Sequence, residues 1–244
     1  MRRYGLIGYP LKHSFSEKYF SEKFKLENIL DATYQLYPIE QASEITGLVE
    51  TIPNLCGLNV TIPHKENVMR FLDEIDEEAR EVGAVNCIHF RNGKAKGYNT
   101  DVYGFRMSIK PFLENKFERA LVLGTGGASK AVTYVLRSWN IPYYLVSRTK
   151  STGHIFSWDE VNEEVLRHFK LIINTTPLGM FPNVSEMPDL PYDALGADHF
   201  LYDLVYNPIE TRFLAEGISR GASVMNGMKM LEWQAIRSWE IWNS

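Results

Sequence analysis

The feature that most constrains this chain is an apolar run over residues 119–123 that enters Gly124-Thr125-Gly126-Gly127-Ala128-Ser129 and continues as a helical pattern to residue 139. Strand, glycine turn and helix in that order form the context a dinucleotide-binding loop requires. Gly124 permits the tight turn. Gly126 and Gly127 let backbone amides approach a pyrophosphate, whose charge the helix N-terminus favours. Adjacent glycines cost backbone entropy, so a tight turn without a ligand is the weaker reading of this loop. Further short apolar runs follow at residues 143–146, 171–173, 201–205 and 222–225, separated by loops or by a helical stretch at 211–220. Continuous apolar strands alternating with helices predict an α/β fold with a parallel sheet covered on both faces.

The preceding hundred residues carry a second α/β pattern. Strands are predicted at 4–7, 33–37 and 58–61, with helices over 16–26 and within 44–51, and Ser14 or Ser16 is available to cap the first helix. Residues 87–91 and 94–98 flank Asn92-Gly93, a dipeptide that supplies the positive φ angles of a type I′ hairpin. Residues 228–242 form a final helix with apolar positions at Met230, Leu231, Trp233, Ile236 and Trp239. The expected organisation is two domains, residues 1–101 with 226–244 and residues 102–225, with the C-terminal helix returning to the first. A cleft is expected between them, with hinges around 101–103 and 225–227.

Composition narrows the function. The 244 residues carry a net charge of −4 and no basic stripe, which argues against nucleic acid as the main partner. No apolar run is long enough to cross a bilayer. Cys56 and Cys87 lack metal or redox spacing and read as two buried, reduced thiols of a cytoplasmic protein. The six histidines are scattered singly, so no metal site is expected. Oligomeric state is open between monomer and homodimer.

The end of the strand at 143–146 bears on cofactor choice. An NAD site normally offers an acid there, about 20 residues after the glycine loop, for the ribose hydroxyl. Here the chain reads Ser147-Arg148-Thr149-Lys150, with no acid and two cations. Arg148 can pair with a 2′-phosphate and Thr149 can add a hydroxyl, which points to NADP(H).

Several segments of the N-terminal half place polar side chains where a plain fold has little use for them. Ser14 and Ser16 can bind a small carboxylate or simply cap a helix. Asn59, Thr61 and Lys65 are set at a strand end, where a partly desolvated lysine can polarise a carbonyl or donate a proton. Asn86 and Asp101 each end a short strand-like segment, and an acid near Lys65 would hold it charged or accept its proton. Each feature taken alone is also ordinary turn chemistry or a solvated ion pair.

Taken in order, the segments SxS, NVTxPxK, GAVN, NTD, GxGGA, NTTPLGM, DLVYNPxxT and NGxxML..Q resemble the shikimate dehydrogenase family from Ser14 to Gln234. The resemblance implies a substrate domain followed by a Rossmann-type NADP domain. It implies that Lys65 and Asp101 bind the reacting and neighbouring hydroxyls and supply acid–base function. Ser14 and Ser16 would hold the substrate carboxylate. Thr61, Asn86 and Gln234 would bind ring hydroxyls, with Tyr206 near the same pocket. Gly124, Gly126, Gly127, Ala128 and Ser129 would take the pyrophosphate, and Ser147, Arg148 and Thr149 the adenosine 2′-phosphate. Thr175, Pro177 and Met180 would line the wall near the cofactor, Leu204 and Gly227 would contact the nicotinamide end, and Glu77 aligns with a further cofactor-side position.

The implied reaction is reversible, NADPH-dependent reduction of 3-dehydroshikimate to shikimate in aromatic amino-acid biosynthesis. A quinate/shikimate dehydrogenase of broader specificity would share every motif. A non-catalytic paralogue that senses NADP(H) or a shikimate-like ligand would be expected to have lost Lys65 or Asp101. The chain departs from the family pattern at Cys87, where Thr is usual, and at Ser147, where Asn is usual. It is also shorter between Thr149 and Leu171, where a helix and a strand are expected to be trimmed.

Overall fold

The computed structural model describes every residue except 12–13, 114–116 and 149–152. In chain order the elements are β1 (Arg2–Gly8), α1 (Phe15–Leu26), β2 (Ala32–Pro38), α2 (Ile45–Thr51), β3 (Leu55–Val60), β4 (Glu74–Ile75), α3 (Glu77–Val82), β5 (Cys87–Arg91), β6 (Lys94–Tyr98) and α4 (Thr100–Ile109). There follow β7 (Ala120–Leu123), α5 (Gly127–Ser138), β8 (Tyr143–Ser147), β9 (Ile155–Ser157), α6 (Glu163–His168), β10 (Leu171–Asn174), β11 (Phe200–Asp203), α7 (Arg212–Ser219), β12 (Ser223–Met225) and α8 (Met228–Trp242). They divide into two compact units, Met1–Tyr103 with Gln234–Ser244, and Gly104–Trp233. Helices α4 and α8 each run across the division.

The first unit holds a mixed sheet of order β2-β1-β3-β5-β6-β4. β1 pairs in parallel with β2 and β3, whereas β5 is antiparallel to both β3 and β6. Asn92 and Gly93, at φ 53° and 74°, make the expected turn between β5 and β6. The C-terminal helix returns to this unit, as the sequence implied. Trp242, only 4% exposed, stacks on Tyr4 at 4.9 Å and donates its indole N–H to the Ile88 carbonyl at 2.9 Å. Phe20, Phe24 and Tyr34 complete that core, and truncating an aromatic so placed costs about 3–5 kcal/mol.

The second unit is an all-parallel sheet of order β12-β11-β10-β7-β8-β9. Read from β9, this is the 3-2-1-4-5-6 order of a doubly wound dinucleotide fold. The strand order reverses between β7 and β10, and ligands of such sheets bind outside the carboxyl ends of the strands at that point. β7, β10 and β11 are buried along their whole length, as parallel strands covered on both faces must be.

Three expectations need correction. The shortened segment after Arg148 keeps its strand: β9 survives as three residues paired with the edge of β8, followed by the six-residue α6. Asp101 does not end a strand; it lies in the first turn of α4, because Asn99 accepts the Val102 amide at 3.2 Å and so starts a helix directly after β6. Cys87 is buried but Cys56 is partly exposed, since the pairing of β5 with β3 begins only at Gly57.

Candidate active site

Lys65 stands in the turn after β3, and two neighbours fix that turn. The buried His64 donates from Nε2 to the Ile39 carbonyl at 2.7 Å, and the Lys65 carbonyl accepts the Val85 amide at 2.8 Å. Lys65 Nζ donates to Asp101 Oδ2 at 2.7 Å, with the two side chains 18% and 10% exposed. The α4 N-terminus adds a favourable field at the carboxylate. Removing one partner of so enclosed a pair leaves the other charge poorly solvated, which is far costlier than losing a surface ion pair. The pair therefore fixes the Lys65 side-chain nitrogen at a defined point beside a carboxylate.

Around it lies a buried polar network. Asn86 accepts the Thr100 amide at 2.6 Å and the Thr100 hydroxyl at 3.2 Å through Oδ1. Thr100 Oγ1 also lies 3.3 Å from Gln234 Oε1 and 3.3 Å from Ser238 Oγ. Ser238 accepts from Asn59 Nδ2 at 2.9 Å, and Asn59 Oδ1 accepts from the Tyr34 hydroxyl at 2.9 Å. Burial pushes the Tyr34 hydroxyl well above its usual pKa, so it stays a donor. Asn86 and Gln234, from β5's approach and from α8, are thus joined through Thr100. Sequence reasoning missed His64, Thr100, Tyr34 and Ser238. The last two lie far along the chain from their partners and give no local signal.

The remaining candidates of this unit fall as follows. Ser14 caps α1, its Oγ accepting the Ser16 amide at 3.1 Å, and Ser16 is buried in the first turn. Thr61 is half-buried just past β3, and Glu77 is exposed at the start of α3. Burial raises the Cys87 thiol to about 12, so it is inert as a thiolate at neutral pH.

In the second unit, Gly124 has φ +102°, and a Cβ there would come within 2.9 Å of Thr175 Oγ1. Thr175 is itself held by its hydroxyl to the Leu123 carbonyl at 2.6 Å. No side chain caps the N-terminus of α5 at Gly126, and nothing lies within 4 Å of where a Gly126 Cβ would stand. Ser129 Oγ donates to the Gly126 carbonyl at 2.6 Å, leaving the amides of Gly127, Ala128 and Ser129 as the open end of a twelve-residue helix. This cradle fits a pyrophosphate.

Ser147 ends β8 and Arg148 follows it, exposed; Thr149 lies outside the described residues. Gly227 packs against the Leu204 carbonyl so closely that any Cβ would collide with it, and its amide donates to the Val205 carbonyl at 3.1 Å. Leu204 and Gly227 are therefore neighbours. Pro177 and Met180 are exposed in the loop after β10, and Tyr206 follows β11 in this unit, not in the unit that holds Asn86 and Gln234. Among the described residues no group of three or more His, Cys, Asp or Glu could hold a metal ion, and no helix is long and apolar enough to cross a membrane.

The shikimate dehydrogenase substrate binding domain matches residues 6–88. A shikimate dehydrogenase (NADP(+)) from Clostridium beijerinckii is 42% identical, over 99% of this chain and 92% of its own. One of the same name from Methanosphaera stadtmanae is 37% identical, over 97% and 89%. Among solved structures, the shikimate dehydrogenase of Aquifex aeolicus superposes with a TM-score of 0.89 at 35% identity, covering 99% of this chain and 92% of that one. The shikimate 5-dehydrogenase of Thermus thermophilus, in complex with NADP(H) and shikimate, gives 0.86 at 30% identity, covering 99% and 93%. With these relatives matched over nearly their whole length, the chain belongs to the shikimate dehydrogenase family.

Proposed function

We propose that this chain reduces 3-dehydroshikimate to shikimate with NADPH, reversibly, with Lys65 and Asp101 as its catalytic residues. The observation that carries the reading is the enclosed 2.7 Å Lys65–Asp101 pair, set beside a buried network that orients Asn86 and Gln234. NADPH, when bound, supplies the hydride that turns the C3 carbonyl into an alcohol. Lys65 acts at the oxygen: its ammonium stabilises the negative charge that develops there and gives up one proton to it, regained from solvent. Asp101 holds the ammonium in position and accepts the neighbouring substrate hydroxyl.

Ser14 and Ser16 bind the carboxylate, and Thr61, Asn86, Gln234 and Tyr206 bind ring hydroxyls. Gly124, Gly126, Gly127, Ala128 and Ser129 bind the pyrophosphate. Ser147, Arg148 and Thr149 bind the adenosine phosphate, and Leu204 and Gly227 border the nicotinamide. The functional halves we assign are residues 1–101 with 226–244 for substrate and 102–225 for cofactor. A cytoplasmic location and a monomer or homodimer complete the reading.

Measuring the absorbance of reduced nicotinamide, with shikimate or quinate offered against NADP+ or NAD+, tests it. Turnover with shikimate and NADP+ alone is expected. Equal turnover of quinate would favour the broader dehydrogenase, and no turnover with any pair would refute catalysis.

A further inference from the structure

Asp203 and Thr211 bound a motif in the sequence, yet neither has a part in the chemistry above. Asp203 ends β11 and is fully buried. Its Oδ1 accepts from Asn174 Nδ2 at 3.0 Å and from the Val205 amide at 3.0 Å, and its Oδ2 accepts from the Thr211 hydroxyl at 2.6 Å. All three donors are neutral. Burial raises the carboxyl to about 6 against these bonds, which pull the other way. A carboxylate buried without a cation works against stability, so a residue kept only for packing would be better served by another side chain.

What the carboxylate does hold is position. Asn174, fully buried at the end of β10, passes the contact on: its Oδ1 accepts the Thr176 amide at 3.0 Å and the Thr176 hydroxyl at 2.6 Å. The Leu204 amide donates to the Asn174 carbonyl at 2.9 Å, and Gly227 rests on the Leu204 carbonyl. Thr211, the third partner, is the N-cap of α7. One side chain thus ties the ends of two adjacent parallel strands to a helix start, at the carboxyl edge where this fold binds its ligands.

We propose that Asp203 is a positioning residue for the nicotinamide end of the cofactor site. Its carboxylate holds Asn174-Thr175-Thr176 and Leu204-Val205 in the arrangement that presents Thr175, Leu204 and Gly227 to the ring. The proposal rests on the reading of this chain as an NADP-dependent dehydrogenase. An acid suits the role because both its oxygens accept, whereas an amide at the same place has one accepting atom for three donors.

The test compares wild type, Asp203→Asn, Thr211→Ser and Thr211→Val. Two ligands report binding: NADPH, through the emission of its nicotinamide, and 2′-phospho-ADP-ribose, which lacks that ring. Asp203→Asn and Thr211→Val are expected to bind the truncated ligand within about two-fold of wild type and to alter the bound NADPH emission. Their kcat should fall about ten-fold or more, with KM for shikimate changed by less than about two-fold. Thr211→Ser, which keeps the hydroxyl donor, should match wild type. Wild-type emission and kcat in both Asp203→Asn and Thr211→Val would overturn the proposal, and so would equal loss of both ligands. If Asp203→Asn does not fold, the Thr211 pair decides alone. A wild-type protein that binds neither ligand would refute the cofactor reading instead.

Discussion

Relative to wild type, Asp203→Asn should gain stability as pH rises from 4 to 8, whatever fixed cost its altered hydrogen bonds carry. Burial lifts the Asp203 carboxyl from 3.8 to about 6 in the folded protein. The folded state therefore holds this proton more tightly than the unfolded chain. The sign follows from that: the contribution is most favourable below about pH 4 and is lost as pH rises through about 6. At 1.36 kcal/mol for each tenfold change in proton affinity, the loss comes to about 3 kcal/mol. Asparagine cannot ionise, so it escapes this pH-dependent loss, and its lost acceptor adds only a cost that does not change with pH. About 2.5 kcal/mol of this falls between pH 4 and pH 8, and in a chain of this size each kcal/mol moves Tm by about 2–4 °C, so the variant's Tm relative to wild type should rise by about 5–10 °C over that range. His89, whose pKa burial lowers, contributes in the opposite sense, but it is common to both proteins and cancels in the difference. Thermal melts followed by circular dichroism measure the gap at each pH. A gap that stays constant from pH 4 to pH 8 would refute the assignment of a raised, desolvated carboxyl.

Other substitutions probe separate parts of the account. Gly124→Ala must place a Cβ at φ +102° and within 2.9 Å of Thr175 Oγ1, so about 1–3 kcal/mol of stability should be lost in chemical denaturation, along with NADP+ affinity in calorimetry. Arg148→Gln should raise KM for NADP+ by about ten-fold or more and leave KM for NAD+ nearly unchanged, because only the former has a 2′-phosphate to pair. Ser238→Ala leaves Asn59 Nδ2 with a single long bond, 3.4 Å to the Asn86 carbonyl, and should cost about 1–2 kcal/mol of stability. It should also raise KM for shikimate severalfold, without touching KM for NADP+.

Much of this could be read from the chain itself, for physical reasons. The glycine loop has one workable geometry between a strand and a helix, and the apolar runs after it can only be parallel strands. Asn92-Gly93 likewise admits one turn. Asp101 was misplaced because β6 is strand-like up to Tyr98, and the cap that starts α4 is a single asparagine, an ordinary turn residue until its helix is seen. β9 escaped because three residues carry no period; it exists through its pairing with β8. Asp203 gave no warning, since an acid at a strand end usually meets water. Its partners, Asn174 and Thr211, lie 29 and 8 residues away and converge only when β10 and α7 pack beside β11.

The central claim is that Lys65 supplies the proton and the field at the reacting oxygen while other groups do most of the binding. Lys65→Ala isolates it, with shikimate affinity read by calorimetry and turnover with NADP+ read at saturating substrate. kcat should fall by about a hundred-fold or more with shikimate still bound, the range that general acid–base groups typically contribute. A variant that keeps most of its kcat would contradict it.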